Sequence, residues 1–100
     1  MNGTIKPLNR GAAIRFPVKD DIRDIVDFRS AMLDRIEKGE TYLTVDMSDT
    51  LVVDSAGLGI LVTGYKRLQE KGGHLIIRGV RNSVKETFVQ ARLSDIFTFQ

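Results

Sequence analysis

The stretch Val52-Val53-Asp54-Ser55-Ala56-Gly57-Leu58-Gly59-Ile60-Leu61 decides how this chain is read. An apolar run halts at an acid and a hydroxyl and then resumes with helical spacing. Asp, Ser and Gly are residue types that begin helices, because a short oxygen-bearing side chain accepts a backbone N–H that has no partner inside the helix. A helix is therefore expected to start near Ser55, to bury Leu58, Leu61, Val62, Tyr65 and Leu68, and to stop at Gly72-Gly73. Ser55 reads as its N-cap, a role worth about 1 kcal/mol, and as an accessible hydroxyl.

Upstream of this junction, Leu43, Val45 and Met47 alternate with polar neighbours across Tyr42–Met47, which predicts a strand with one packed face. Ser48-Asp49-Thr50 breaks it, and the short apolar run Leu51-Val52-Val53 leads into the helix. Downstream, Leu75-Ile76-Ile77 predicts another buried strand. Strand, helix and strand around Ser55 imply parallel strands joined by a right-handed crossover.

The flanking segments extend the same alternation. Thr4 to Leu8 and Ala12 to Phe16, separated by Asn9-Arg10-Gly11, read as an opening hairpin. After Pro17, Asp20 or Asp21 caps a helix with Ile22, Ile25, Val26, Met32, Leu33 and Ile36 on one face, closed at Lys38-Gly39. Ser83-Val84-Lys85-Glu86 has the form of a capping box and opens a third helix burying Val84, Phe88 and Ala91. Ile96-Phe97-Thr98-Phe99 is a last edge strand or a packed tail. The expected fold class is α/β: one domain over residues 1–100, a mixed, mostly parallel sheet of four to five strands with three to four helices packed on it. Ligands and partners of such sheets meet the loops at the carboxyl ends of the strands, where Asp54 and Ser55 lie.

Composition removes several classes of function. The 100 residues contain no cysteine, which excludes disulfides and thiolate chemistry and makes the cytoplasm the expected compartment. The N-terminus lacks the apolar segment of about 7 to 15 residues that a secretory signal requires, and no run approaches the ~20 residues of a membrane span. The formal charge of +2 is unevenly distributed, with basic residues dominating the last third. Phe88 is the only aromatic inside that basic stretch, so no nucleic-acid partner is expected.

Enzymatic readings of Ser55 also fail. A hydrolase elbow needs Gly two residues before the serine, where this chain has Val53, and the only histidine, His74, follows Gly72-Gly73 into a buried strand. Gly57-Leu58-Gly59 lacks the third glycine of a dinucleotide fingerprint, and no Walker-type sequence is present. Asp46, Asp49 and Asp54 are irregularly spaced and have no second histidine or cysteine for a metal. No cofactor is expected. What remains is a serine that another protein modifies: a phosphate is tolerated at a helix N-terminus and adds roughly 1.5 to 2 negative charges beside Asp54. The residues alone leave a plain cap as the competing role.

Asp46-Met47-Ser48, Val53-Asp54-Ser55-Ala56-Gly57-Leu58-Gly59, Lys71-Gly72-Gly73-His74-Leu75-Ile76-Ile77 and Leu93-Ser94-Asp95-Ile96-Phe97 together resemble the STAS domain, specifically the bacterial anti-sigma factor antagonists. The resemblance covers nearly the whole chain and is strongest in Asp-Ser-x-Gly-Leu-Gly. It implies a partner-switching regulator of transcription without catalytic activity. Such a protein binds an anti-sigma factor that is also a serine kinase, is released when that kinase phosphorylates the serine matching Ser55, and is restored by a PP2C-type phosphatase. Asp20, Asp21, Asp54, Ser55, Ala56, Gly57, Leu58 and Gly59 are the partner-binding positions so implied. Many members carry Ser or Thr where this chain has Ala56, which leaves Ser55 as the acceptor. A monomer is expected. The alternative is a STAS adaptor that is never phosphorylated, a subunit of a transport or signalling complex.

Overall fold

The computed structural model describes residues 12–19 and 21–100. Its elements are β1 (Ile14–Arg15), α1 (Ile22–Glu37), β2 (Tyr42–Asp46), α2 (Ser55–Glu70), β3 (His74–Arg78), α3 (Asn82–Gln90) and β4 (Thr98–Phe99). The four strands form one sheet in the order β1-β2-β3-β4, every neighbouring pair parallel. Each connection is thus a crossover through a helix. The expected α/β class stands, with four strands and three helices among the described residues.

Strand alternation decides which face is covered. Leu43, Val45 and Met47 from β2 and its exit, and Leu75 and Ile77 from β3, are fully buried beneath the helices. Burying several such side chains stabilises by about 1.5–3 kcal/mol each, which offsets much of the ordering cost of the strands. Phe97 and Phe99 follow the same parity at the sheet's far edge and meet Phe88 of α3 edge-to-face at 5.6 and 5.4 Å. The closing segment is therefore an edge strand with an aromatic anchor.

Four expectations are corrected. The strand predicted at Ala12 to Phe16 is reduced to Ile14–Arg15 and runs parallel to β2; its hairpin partner at Thr4 to Leu8 lies outside the described residues. In α1 the buried line is Ile25, Phe28, Met32 and Ile36, while Ile22 and Val26 are 67% and 52% exposed. Val26 sits about 100° around the helix from Ile25, and Phe28 takes the inward position because its ring packs on Phe16 at 4.8 Å.

The third correction concerns α3, which begins at Asn82 with Arg81 as N-cap and no side-chain capping bond. Ser83 already has helical geometry and so is not the flanking residue that a capping box needs. Val84 and Phe88 are buried as expected, but Ala91 is exposed and serves as the C-cap. In α2 the buried line is Gly57, Leu58, Leu61, Gly64 and Leu68, with Val62 and Tyr65 only half-buried.

Candidate functional site

The loop that carries Ser55 is tied to the segments on either side of it. β2 ends at Asp46, whose register partners are Arg15 on β1 and Arg78 on β3. One Asp46 carboxylate oxygen accepts both the Ser48 backbone N–H at 2.9 Å and the Ser48 hydroxyl at 2.7 Å; the other accepts from Arg78 at 3.4 Å. Those bonds favour the charged form, so the Asp46 pKa lies below the ordinary carboxylate value, with the Ser48 N–H as the largest cause, the Ser48 hydroxyl next and Arg78 a smaller one. The backbone N–H of Met47 donates to the Arg78 carbonyl at 2.9 Å, which carries the sheet pairing one residue into the loop.

The middle of the loop is held from the β1 side. Thr50 is completely buried, and its hydroxyl donates to the Pro17 carbonyl at 3.1 Å. The Leu51 N–H donates to the Val18 carbonyl at 2.9 Å. A polar side chain buried this deeply needs such a partner, because an unpaired one would cost about 1–3 kcal/mol. The segments after β1 and β2 therefore run side by side at the carboxyl end of the sheet.

Helix α2 starts where the loop meets the core. Val53 is buried, and a Cβ on Gly57 would lie 2.9 Å from Val53 Cγ2 and 3.1 Å from Phe16 Cζ, so this position requires glycine for close packing. Asp54 is the N-cap: its backbone is extended, its carboxylate accepts the Gly57 N–H at 3.0 Å, and its carbonyl accepts the Leu58 N–H at 3.0 Å. Ser55 is the first helical residue. The expectation that Ser55 itself caps the helix is corrected, because Asp54 occupies the extended flanking position and its longer side chain reaches the third helical N–H. The Ser55 hydroxyl is exposed and makes no hydrogen bond among the described residues.

The other expected site residues divide by burial. Asp54, Ala56 and Gly59 are exposed with Ser55, whereas Gly57 and Leu58 are buried and hold the helix start against Phe16 and the core. Asp21 is exposed and caps α1 by accepting the Arg23 N–H at 2.9 Å; Asp20 lies outside the described residues. Asp21 and Asp54 thus cap two helices at the same end of the sheet. His74 is at the other end: it opens β3 in register with Tyr42, about 13 Å along the strand from Arg78. Its ring packs near Tyr42 at 5.2 Å and is out of reach of the Ser55 hydroxyl.

The Asp46 hub is the part of the site that sequence reading passed over. Asp-x-Ser just after a strand is a turn in which the acid binds the backbone two residues on, and that local signal was present. No group of three or more His, Cys, Asp or Glu side chains converges among the described residues, and no described helix is long and apolar enough to cross a membrane.

A family model of the STAS domain matches residues 14–100. The chain belongs to the STAS domain family. The fold is also similar to a crystal structure of a Thermotoga maritima protein provisionally described as an anti-sigma factor antagonist, with a TM-score of 0.73 at 20% identity, covering 87% of this chain and 70% of that one. In this STAS domain Asp54-Ser55 is a helix cap followed by an exposed hydroxyl.

Proposed function

We propose that this STAS domain is an anti-sigma factor antagonist switched by phosphorylation of Ser55. The observation that carries the reading is the division of labour at the head of α2: Asp54 does the capping, which leaves the Ser55 hydroxyl exposed and uncommitted. A serine that capped the helix would lose that bond on modification; this one loses nothing.

In the unphosphorylated state the chain binds an anti-sigma factor that is also a serine kinase. The Ser55 oxygen attacks the γ-phosphorus of ATP held by that kinase, the bond to ADP breaks, and the hydroxyl proton passes to a base of the kinase. The chain acts as substrate and binding partner, not as an enzyme. The phosphate sits at the positive end of the α2 dipole, where the Ala56 N–H has no partner within the helix. The fold is therefore retained while the surface gains roughly 1.5 to 2 negative charges, enough to disrupt a desolvated contact. A PP2C-type phosphatase hydrolyses the ester and restores binding. The site is cytoplasmic in this reading, and the domain works as a monomer.

The exposed residues Asp54, Ser55, Ala56 and Gly59, with Asp21 at the head of α1, form the partner surface in this reading, and the buried Gly57 and Leu58 support it from behind. The test is incubation with ATP and a purified anti-sigma factor serine kinase. One phosphate should appear at Ser55 and none in Ser55→Ala. Equal labelling of both would overturn the reading, and stable binding with no labelling would assign the unphosphorylated adaptor role instead.

A further inference from the structure

The order and direction of the strands leave one face of the sheet without a helical layer among the described residues. Right-handed crossovers between parallel neighbours in the order β1-β2-β3-β4 put α1, α2 and α3 on the same side, over Leu43, Val45, Leu75 and Ile77. The alternate residues point the other way and form three rows across the strands. Tyr42 and His74 lie opposite one another at the amino end, Thr44, Ile76 and Thr98 in the middle, and Arg15, Asp46 and Arg78 at the carboxyl end. Thr44, Asp46 and Ile76 are half-buried and the rest are exposed. All-parallel sheets occur almost only with helices covering both faces. Here the described helices cover one.

We propose that a partner protein supplies the second layer: an amphipathic helix lying across the strands, its apolar side on Thr44, Ile76 and Thr98 and two acidic residues against Arg15 and Arg78. The rows that border the middle one are four residues apart along β2, about 13 Å, against a helix diameter of about 10–12 Å. One helix fits between them. Arg15 and Arg78 stand two strands apart, about 9.6 Å, and acids seven residues apart on one helix face are separated by about 10.5 Å. Both arginines have donors to spare. Their ion pairs with Asp49 and Asp46 are long, at 3.5 and 3.4 Å, and exposed, so they contribute little and leave guanidinium N–H groups for an incoming carboxylate. Asp46, between the two, is already answered by the Ser48 N–H and hydroxyl. A nucleic-acid strand fits this row less well, because its evenly charged backbone would meet Asp46 as well as the arginines. The surface faces away from α2, so a partner held there is separate from the contact at Ser55.

The experiment selects helices of about 14 residues, four turns, from a phage-displayed library with a fixed apolar side and randomised flanks, using the immobilised full chain. Synthetic copies of the recovered helices are then titrated into the isotope-labelled chain and followed by amide NMR. They should carry Asp or Glu seven residues apart and should shift the amides of Thr44, Ile76 and Thr98. Ile76→Lys and Thr98→Lys should each raise Kd at least tenfold, while Val89→Lys on α3 should stay within twofold. Thr98 is exposed, so its variant decides the matter even where Ile76→Lys fails to fold. Arg15→Glu should weaken the acidic helix at least fivefold and should bind more tightly to the same helix with lysine in place of the facing acid, a reversal that a merely structural role would not produce. Recovery of basic helices, no recovery, or shifts confined to the head of α2 would overturn the proposal and leave the reading of Ser55 untouched. So would self-association that Thr98→Lys abolishes, which gives the face to a second copy, or tighter binding there of an oligouridylate, which gives it to RNA.

Discussion

The carboxylate of Asp54 accepts the backbone N–H of Gly57 at 3.0 Å, and that bond makes Asp54, not Ser55, the N-cap of α2. The two adjacent residues therefore differ in what they give to the fold. Asp54→Ala should cost about 0.5–2 kcal/mol, the usual effect of deleting a cap. Ser55→Ala should stay within about 0.5 kcal/mol of wild type, as an exposed substitution away from structural features does. Urea unfolding of the two variants checks this, and equal losses would return the capping role to the serine.

The arrangement of strands and helices around Ser55 was legible because each element carries its own period: Leu43, Val45 and Met47 alternate, and Leu58, Leu61 and Leu68 recur with helical spacing. What the pattern misjudged depended on packing between elements. Ile22 and Val26 fit a helical face as well as Phe28 does, and only the ring of Phe16, just after β1, decides which side turns inward. The cap was misassigned for a local reason, since Asp54 and Ser55 are both good N-caps and one residue of register separates them. Of the Asp46 hub, only the Asp46–Ser48 turn had a local signal; its Arg78 arm was invisible because Arg78 is 32 residues away and is brought alongside only by the parallel register of β2 and β3.

That hub makes stability depend on pH. The Asp46 pKa is lowered in the folded chain below its ordinary value of 3.8, chiefly by the Ser48 N–H and hydroxyl. A carboxylate whose folded pKa is depressed contributes stability that is present above the unfolded value and is lost as pH falls through the folded one. The denaturation midpoint should therefore drop as pH is lowered below about 3.8, and Asp46→Asn, which keeps an acceptor but removes the charge, should flatten that part of the curve. An identical acid arm in the variant would show that the Ser48 and Arg78 bonds do not favour the charged form.

Helices α1 and α2 meet through a glycine. A Cβ on Gly64 would lie 2.5 Å from Met32 Sδ and 3.3 Å from Leu75 Cδ1, and Met32 is fully buried. Gly64→Ala gains about 1 kcal/mol of helix propensity but overpacks the helix contact, at a cost of about 1–3 kcal/mol. The single substitution should therefore be destabilising. In a Met32→Ala background the obstruction is gone and the same substitution should stabilise. A double-mutant cycle measures the sign change, and additive effects would place the helices farther apart than this packing has them.

The last expectation separates charge from fold at Ser55. Ser55→Asp introduces a carboxylate at the first helical position of α2, a first turn that holds no acidic residue. Favourable interaction with the helix dipole is worth about 0.3–1 kcal/mol there, so the variant should melt at or slightly above the wild-type temperature. Affinity for the partner should move the opposite way, because the carboxylate brings charge to the contact without the full phosphate dianion. A weaker complex from a chain at least as stable is the signature of a surface switch. Thermal unfolding and titration on the same preparations check it together: a variant that loses stability in step with affinity would mean that binding fails because the helix start is disturbed, and the switch would then be a conformational one.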